Sequence, residues 1–416
     1  MRKLRKSVYF AAGYNTISLG TGRKEFHPKK PRPGIEYYID EAGKAVLAQM
    51  NDPSQIDEGV VGNFMAARFN RQAHLGSLIP NLHSGLKYLP CTRVEGACAS
   101  GGLAWVTAMK TVLADLADIV LTFGTEVQNS MKAIYGADVL AGAGHYASHR
   151  KKGHAYFFPA QFSDRAGVYF ERFGRDQARE AMSLWYVQAI ENARRNPKAQ
   201  EYHNTIEDLL AAATTPPDPK VFVEHLNVYD CSKVSDGASA LLVTSEEGLK
   251  KVGIEKKDAV ELVAYGHASS DLTKPPADYT RLDTTTVAVK MAFDMAGFGL
   301  EKIGVLEVHD CFTINGLLML EAVGYAEHGH AAEVIRAGKT RINGELPTNA
   351  TGGLIGFGHY TGGTGVRQAV DVLHQLTGKV EPACQVNIDP NKPYGMMISM
   401  GGNDKTVVVG IFKRAA

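Results

Sequence analysis

Residues 94–102 read VEGACASGG, from Val94 to Gly102, and place one cysteine, Cys98, where a short apolar and basic run (Leu86 to Arg93) gives way to a helix. The segment that follows, LAWVTAMKTVLADL, repeats apolar residues at helical spacing, so the spacing predicts a helix opening just after Cys98. Working outward, the first half offers a strand around Ser7 to Gly13, a proline-containing loop through Pro33, a helix over Ile35 to Met50 and a strand over Gly59 to Met65. Beyond the Cys98 helix, DIVLTF (118–123) is apolar and bounded like a buried parallel strand, and SALLVT (239–244) closes the half. Strand and helix alternate, which makes this an α/β layered fold.

Between Gly124 and about Tyr229 the pattern changes to glycine-, histidine- and aromatic-rich loops with one or two helices, such as Arg175 to Arg195, and reads as an insertion rather than a core layer. The second half then repeats the plan. It has a strand at Val260 to Tyr265, a helix at Thr284 to Ala296, a strand GVLEV (304–308) and a helix from about Ile314. A glycine-rich stretch, Gly352 to Gly365, opens another helix, and strands near 395–400 and 405–412 end the chain. The expected divisions are 1–123, an inserted loop domain at 124–229, the rest of the first half at 230–255, and a second half at 256–416. GACASGG and GHYTGGTG precede corresponding helices, which suggests an internal duplication bringing Cys98 and His359 to equivalent helix starts.

Composition narrows the function classes. The 416 residues carry 45 basic and 44 acidic side chains, a net charge of +1, so no whole-chain field draws in nucleic acid or a membrane surface. The five cysteines, at 91, 98, 231, 311 and 384, form no CxxC pair and are odd in number; this argues against a disulfide framework or a zinc site and suits a reducing compartment. The basic MRKLRK start is followed by a segment broken at Gly13 and Asn15, and no apolar run approaches a membrane span, so the cytoplasm is expected.

Three stretches could carry chemistry. At a helix N-terminus the unpaired N–H groups favour a thiolate, which would make Cys98 a nucleophile; a small, inert core cysteine is the alternative. The run GGLIGFGHYTGGTG (352–365) lacks both the Gly-Lys-Ser/Thr ending of a phosphate loop and the G-x-G-x-x-G dinucleotide pattern, leaving one imidazole, His359, either to face whatever lies opposite or to cap a helix. The tetrad His309-Asp310-Cys311-Phe312 follows a buried-strand pattern, at the sheet edge where α/β folds place ligands, although Asp310 would also serve as the next helix's N-cap.

Together these stretches resemble the thiolase superfamily, and within it the thiolases of the sterol-carrier-protein type, over nearly the whole chain. Cys98-Ala99-Ser100 is similar to the nucleophile motif, Gly358-His359 to the glycine–histidine motif, and the tetrad to the one marking the sterol-carrier type; Tyr229 to Ser245 is similar to the segment leading into the last strand of the first half. The resemblance implies a duplicated α/β/α/β/α fold with an inserted loop domain, an acyltransferase of lipid and fatty acid metabolism, acyl-CoA and CoA as substrates, no permanently bound cofactor or metal, and a homodimer. The reaction would be cleavage of 3-ketoacyl-CoA by CoA or the reverse Claisen condensation, through a thioester on Cys98. His359 would take the thiol proton, Cys311 would exchange the α-proton, and His309 with His359 would hold the enolate oxygen. Backbone N–H groups of Cys98 and of Gly401 or Gly402 would hold the tetrahedral oxyanion.

The chain departs from the family pattern twice. Tyr360 replaces the usual proline after the histidine, and Ser399-Met400-Gly401-Gly402 stands where many thiolases carry a second catalytic cysteine. Two rivals remain at this stage: a decarboxylating ketoacyl synthase, which needs Cys98, His309 and His359 but not Cys311, and a silent acyl-CoA-binding protein. Arg150, Lys151 and Lys152 beside Phe157 are candidates for the CoA phosphates and adenine, with a solvated loop face as the other reading.

Overall fold

The computed structural model describes residues 3–150 and 155–416. The first half comprises β1 (Tyr9–Asn15), α1 (Ile35–Leu47), β2 (Glu58–Gly62), β3 (Cys91–Val94), α2 (Ser100–Leu113) and β4 (Ile119–Val127), then a long excursion containing α3 (Phe157–Phe173) and α4 (Arg175–Ala193), and returns through β5 (Asp236–Thr244). The second half comprises β6 (Val260–Ser269), α5 (Asp283–Ala296), β7 (Ile303–Glu307), α6 (Thr313–Ala322), α7 (Gly353–Phe357), α8 (Thr364–Thr377), β8 (Tyr394–Gly401) and β9 (Thr406–Arg414).

The strands run in the order β3-β2-β4-β5-β1-β6-β9-β8-β7, which reads nearly the same from both ends. β2 pairs parallel with β4 and β7 with β8; β4 pairs antiparallel with β5 and β8 with β9. Within the sheet the halves join where Tyr9 and Phe10 pair with Glu261 and Val260. This is the duplication expected from the motif order. IVLTF of the DIVLTF run (119–123) lies within β4, a strand buried at every position; it is parallel to β2 but antiparallel to β5, because β5 re-enters the sheet from the opposite direction after the excursion.

Three main cores separate five layers. α1 buries Ile35, Tyr38, Ile39, Ala42 and Val46, one helical stripe, against the outer face of the first half-sheet. α2 and α8 fill the space between the half-sheets. On the far side α5 and α6 pack against Ala264, Leu306, Met396 and Ile398. That outer core also takes Phe162, Ala166 and Tyr169 of α3 and Met182, Trp185 and Ala189 of α4. The excursion is thus not a set of loops: its two long helices present stripes at i, i+3 or i+4, and i+7 and complete a core layer. Shorter helices at Ala133–Leu140, Tyr146–His149 and Leu209–Ala213 add to it.

The starts of α2 and α8 cross with almost no separation. A Cβ on Gly365 would lie 2.2 Å from the Gly102 nitrogen, and one on Gly101 would lie 2.8 Å from the Val366 nitrogen. Only glycine permits backbones that close, so the glycines of both motifs exist to bring the two loops together.

Candidate active site

Cys98 sits in a single 3-10 turn, Ala97–Ala99, that joins β3 to α2. Ala97 adopts a left-handed φ of 53°, which turns the chain sharply enough to aim the next side chain away from the sheet. The backbone N–H groups of Gly402 and of Cys98 itself point at its sulfur. The expected preference for thiolate does not follow. Although the residue keeps a partial opening to solvent, the surrounding protein pushes its thiol up to about 12, mainly by burial, with the carboxylates of Glu126 and Glu95 adding to it. The resting group is a thiol that needs a base.

Two imidazoles lie beside it. His359 lies in the loop before α8, five residues ahead of that helix, whereas Cys98 precedes α2 by two, so the two share equivalent loops but not equivalent positions. One ligand atom each of Cys98, His309 and His359 lies within 4.8 Å of the others. The two imidazoles meet edge to face, with ring centroids 5.0 Å apart and planes at 89°. Burial, reinforced by buried Arg367, holds His359 down at about 3. The same burial, with His359 and Arg367 as neighbours, holds His309 well below its ordinary value. Both rings are neutral.

Their tautomers differ. His359 Nδ1 lies 2.7 Å from the Thr364 hydroxyl; with that hydroxyl donating to the Tyr360 carbonyl (3.3 Å), Nδ1 carries the ring proton and Nε2 is an acceptor. His309 Nδ1 accepts the Met400 N–H (3.3 Å), so its Nε2 carries the proton and is a donor. One ring can take a proton while the other offers one. The Cys98–His309–His359 group is the one set among the described residues close enough to hold a metal ion. A metal on His309 Nε2 would force a proton onto Nδ1 against the Met400 N–H, which disfavours it there.

The tetrad leaves β7 fully buried. Cys311 is pushed well above its ordinary value by burial and by the neighbouring Cys98 sulfur. Asp310 does not cap α6, whose first turn has no side-chain cap. It accepts the Leu354 N–H of α7 (2.7 Å) and the Trp185 indole N–H of α4 (3.0 Å) instead. His309 is tied by Asn315, which donates to its carbonyl. The excursion therefore orients the tetrad through Trp185.

Of the two glycines proposed for the oxyanion donors, Gly402 reaches the sulfur. Gly401 ends β8, packed so tightly that a Cβ would lie 2.2 Å from the Gly96 carbonyl oxygen. Gly402 and Asp404 both adopt left-handed backbone (φ 66° and 60°). The turn is held from two sides. Asp404 accepts the Thr284 and Thr285 N–H groups at the start of α5 (2.9 and 3.0 Å), and Asn403 accepts from Arg165 (2.6 Å), whose guanidinium is pinned on the Tyr279 and Arg281 carbonyls.

Beside this turn opens a cavity of about 560 Å³, bounded by Phe157, Gln161, Lys274, Pro275, Tyr279, Asn403 and Lys405 among others. Phe157 is the only proposed ligand-binding residue found there. Arg150 is drawn away to an ion pair with Asp138 (2.9 Å) and lines a different depression with Arg68 and Ile134. Lys151 and Lys152 lie outside the described residues. Two residues that hold His359 were not site candidates in the sequence: Ser235, within the Tyr229–Ser245 segment, accepts the His359 N–H (2.9 Å), and Gln128 donates to its carbonyl (2.8 Å). Buried Glu126 accepts from Phe64, Met65 and Gly362, joining both halves beneath Cys98. Glu126 is an acid in a strand buried at every position, as are Asp236 and Glu307 in theirs.

Fold and site together bring one cysteine thiol and two buried imidazoles side by side between duplicated halves. Residues 34–247 match the family model described as thiolase, N-terminal domain, and residues 264–414 that described as thiolase C-terminal domain-like. An acetyl-CoA acetyltransferase of Methanothermobacter thermautotrophicus is 34% identical over 378 residues, 90% of this chain and 94% of that protein. Sterol carrier protein 2 of Homo sapiens is 27% identical over 95% of this chain and 71% of its own length. The fold superposes on an Ltp2-ChsH2(DUF35) aldolase with a TM-score of 0.77 (21% identity, 99% of this chain and 98% of that one) and on human mitochondrial 3-ketoacyl-CoA thiolase with 0.70 (17% identity, 99% and 100%). The chain belongs to the thiolase family. It is a thiolase-type acyltransferase, and the sterol-carrier character read from its tetrad agrees with its relatives.

Proposed function

We propose that the protein exchanges acyl groups between CoA thioesters, cleaving 3-ketoacyl-CoA with CoA or running the reverse Claisen condensation, through an acyl thioester on Cys98. The observation that carries this is the close approach of a thiol, an imidazole acceptor and an imidazole donor. Cys98 Sγ attacks the acyl carbonyl as His359 Nε2 removes its proton; the developing oxyanion is met by the N–H groups of Cys98 and Gly402, and CoA leaves as thiol. In condensation Cys311, whose thiol proton has gone to the departing CoA, takes an α-proton from the second acyl-CoA, and the His309 Nε2–H donates to the enolate oxygen. The enolate carbon then attacks the thioester, and the Cys98 thiolate it releases recovers its proton from His359.

Acyl-CoA and CoA are the proposed substrates, with no permanently bound cofactor. The cavity at Asn403, with Lys274 and Lys405 at its wall, supports a pantetheine route toward Cys98. Phe64, Met65, Leu140, Ala143 and Phe158 crowd against Ala97 and favour a short acyl group on Cys98. The family resemblance supports a homodimer, to be measured by light scattering. The unpaired state of all five cysteines supports a cytoplasmic location, and no helix among the described residues is long and apolar enough to cross a membrane.

Loss of ketoacyl absorbance from acetoacetyl-CoA plus CoA tests the reading, with acetyl-Cys98 trapped and identified by mass spectrometry. No turnover and no trapped thioester would sink it in favour of a binding protein. Cys311→Ser separates a thiolase from a decarboxylating synthase. The expected result is loss of α-deuterium exchange from labelled acetyl-CoA by about two orders of magnitude or more, with acylation of Cys98 retained.

A further inference from the structure

We propose that Tyr360 is the positioning residue of His359, acting through a hydrogen bond to Ser239 on β5; the inference rests on the role of His359 as the proton acceptor of Cys98. The Tyr360 hydroxyl lies 2.8 Å from Ser239 Oγ, and both side chains are completely buried. The ring is closely hemmed by backbone: a Cβ on Gly237 would stand 2.8 Å from it, and one on Gly363 would stand 2.1 Å from it. A side chain held in this way has one available pose.

Its backbone is the other end of the device. The Tyr360 carbonyl receives the Gly363 N–H (2.8 Å), the Thr364 N–H (3.1 Å) and the Thr364 hydroxyl (3.3 Å). That hydroxyl, with its proton committed to Tyr360, is left to accept from His359 Nδ1. A continuous path therefore runs from Ser239 through the Tyr360 ring and carbonyl to Thr364 and the imidazole. It sets both the ring's place and its tautomer. Ser235 and Gln128 hold the His359 backbone but touch neither ring nitrogen, so they do not duplicate this function.

Tyr360→Phe removes the hydroxyl and strands Ser239 Oγ in a dry site; Ser239→Ala breaks the same bond from the other side, and the double variant leaves two apolar partners. Four proteins are compared for acetoacetyl-CoA thiolysis, for the rate of Cys98 alkylation by iodoacetamide across pH, and for melting temperature. The expected result is about a tenfold loss of kcat and of alkylation rate at neutral pH in each single variant, with KM little changed. The double variant should lose no more than a single one while recovering melting temperature, because the bond is lost once but no orphan remains. Wild-type alkylation rates in both single variants would overturn the inference. So would rates that recover with melting temperature in the double variant, the mark of a merely structural role. Alkylation reports on His359 without thiolase turnover: an inactive wild type with the same ordering of alkylation rates would sink the proposed reaction and leave Tyr360 in its role.

Discussion

Cys98, His359 and His309 show how far a side chain's chemistry depends on neighbours remote in sequence. A helix start argues for a thiolate at Cys98, yet burial and two carboxylates outweigh it and hold the group as a thiol. The consequence is testable through pH. His359 stays neutral above about 3 and Cys98 stays a thiol below about 12, so both partners keep their reactive forms across the neutral range. The acylation rate measured in stopped flow should change less than about threefold between about pH 6 and about pH 9. A rise of about tenfold per pH unit would instead mean that a free thiolate, formed before attack, is the nucleophile.

At the scale of elements, the oxyanion donor is governed by the start of α5. Asp404 satisfies two of that helix's unpaired N–H groups while holding the left-handed turn that aims Gly402 at the sulfur. Asp404→Ala should lower stability by about 1–2 kcal/mol, as for loss of an N-cap, and lower kcat about tenfold with little change in KM. Denaturant titration and steady-state kinetics check the two parts; an unchanged kcat would show that Arg165 and Asn403 hold the turn alone. Element boundaries were largely legible, because helical and strand periods are local: α1, α5 and α8 begin where the apolar stripes begin. The excursion was not, since what makes α3 and α4 core helices is the face of the second half-sheet they cover.

For the whole molecule, the site exists because two similar halves touch at glycines. Gly365→Ala would drive a methyl group to within 2.2 Å of the Gly102 nitrogen, a backbone atom that cannot rotate aside. The expected cost is about 3 kcal/mol, read from the shift in denaturation midpoint, with activity falling further as the two loops part. The α/β plan, its duplication and the candidate reactive groups follow from the sequence alone, because periodicity and motif order are properties of the chain. Cys98, His309, Cys311 and His359 all stood out in that way. Only the tertiary structure decided which ring accepts and which donates, that Gly402 rather than Gly401 faces the sulfur, and that Arg150 pairs with Asp138 away from the cavity. Those choices depend on hydrogen bonds from Thr364 and Met400, on a turn anchored by Arg165, and on burial between the halves. Distances that long in sequence leave no trace in local pattern, so VEGACASGG marks Cys98 as the candidate nucleophile while the partner half sets its surroundings.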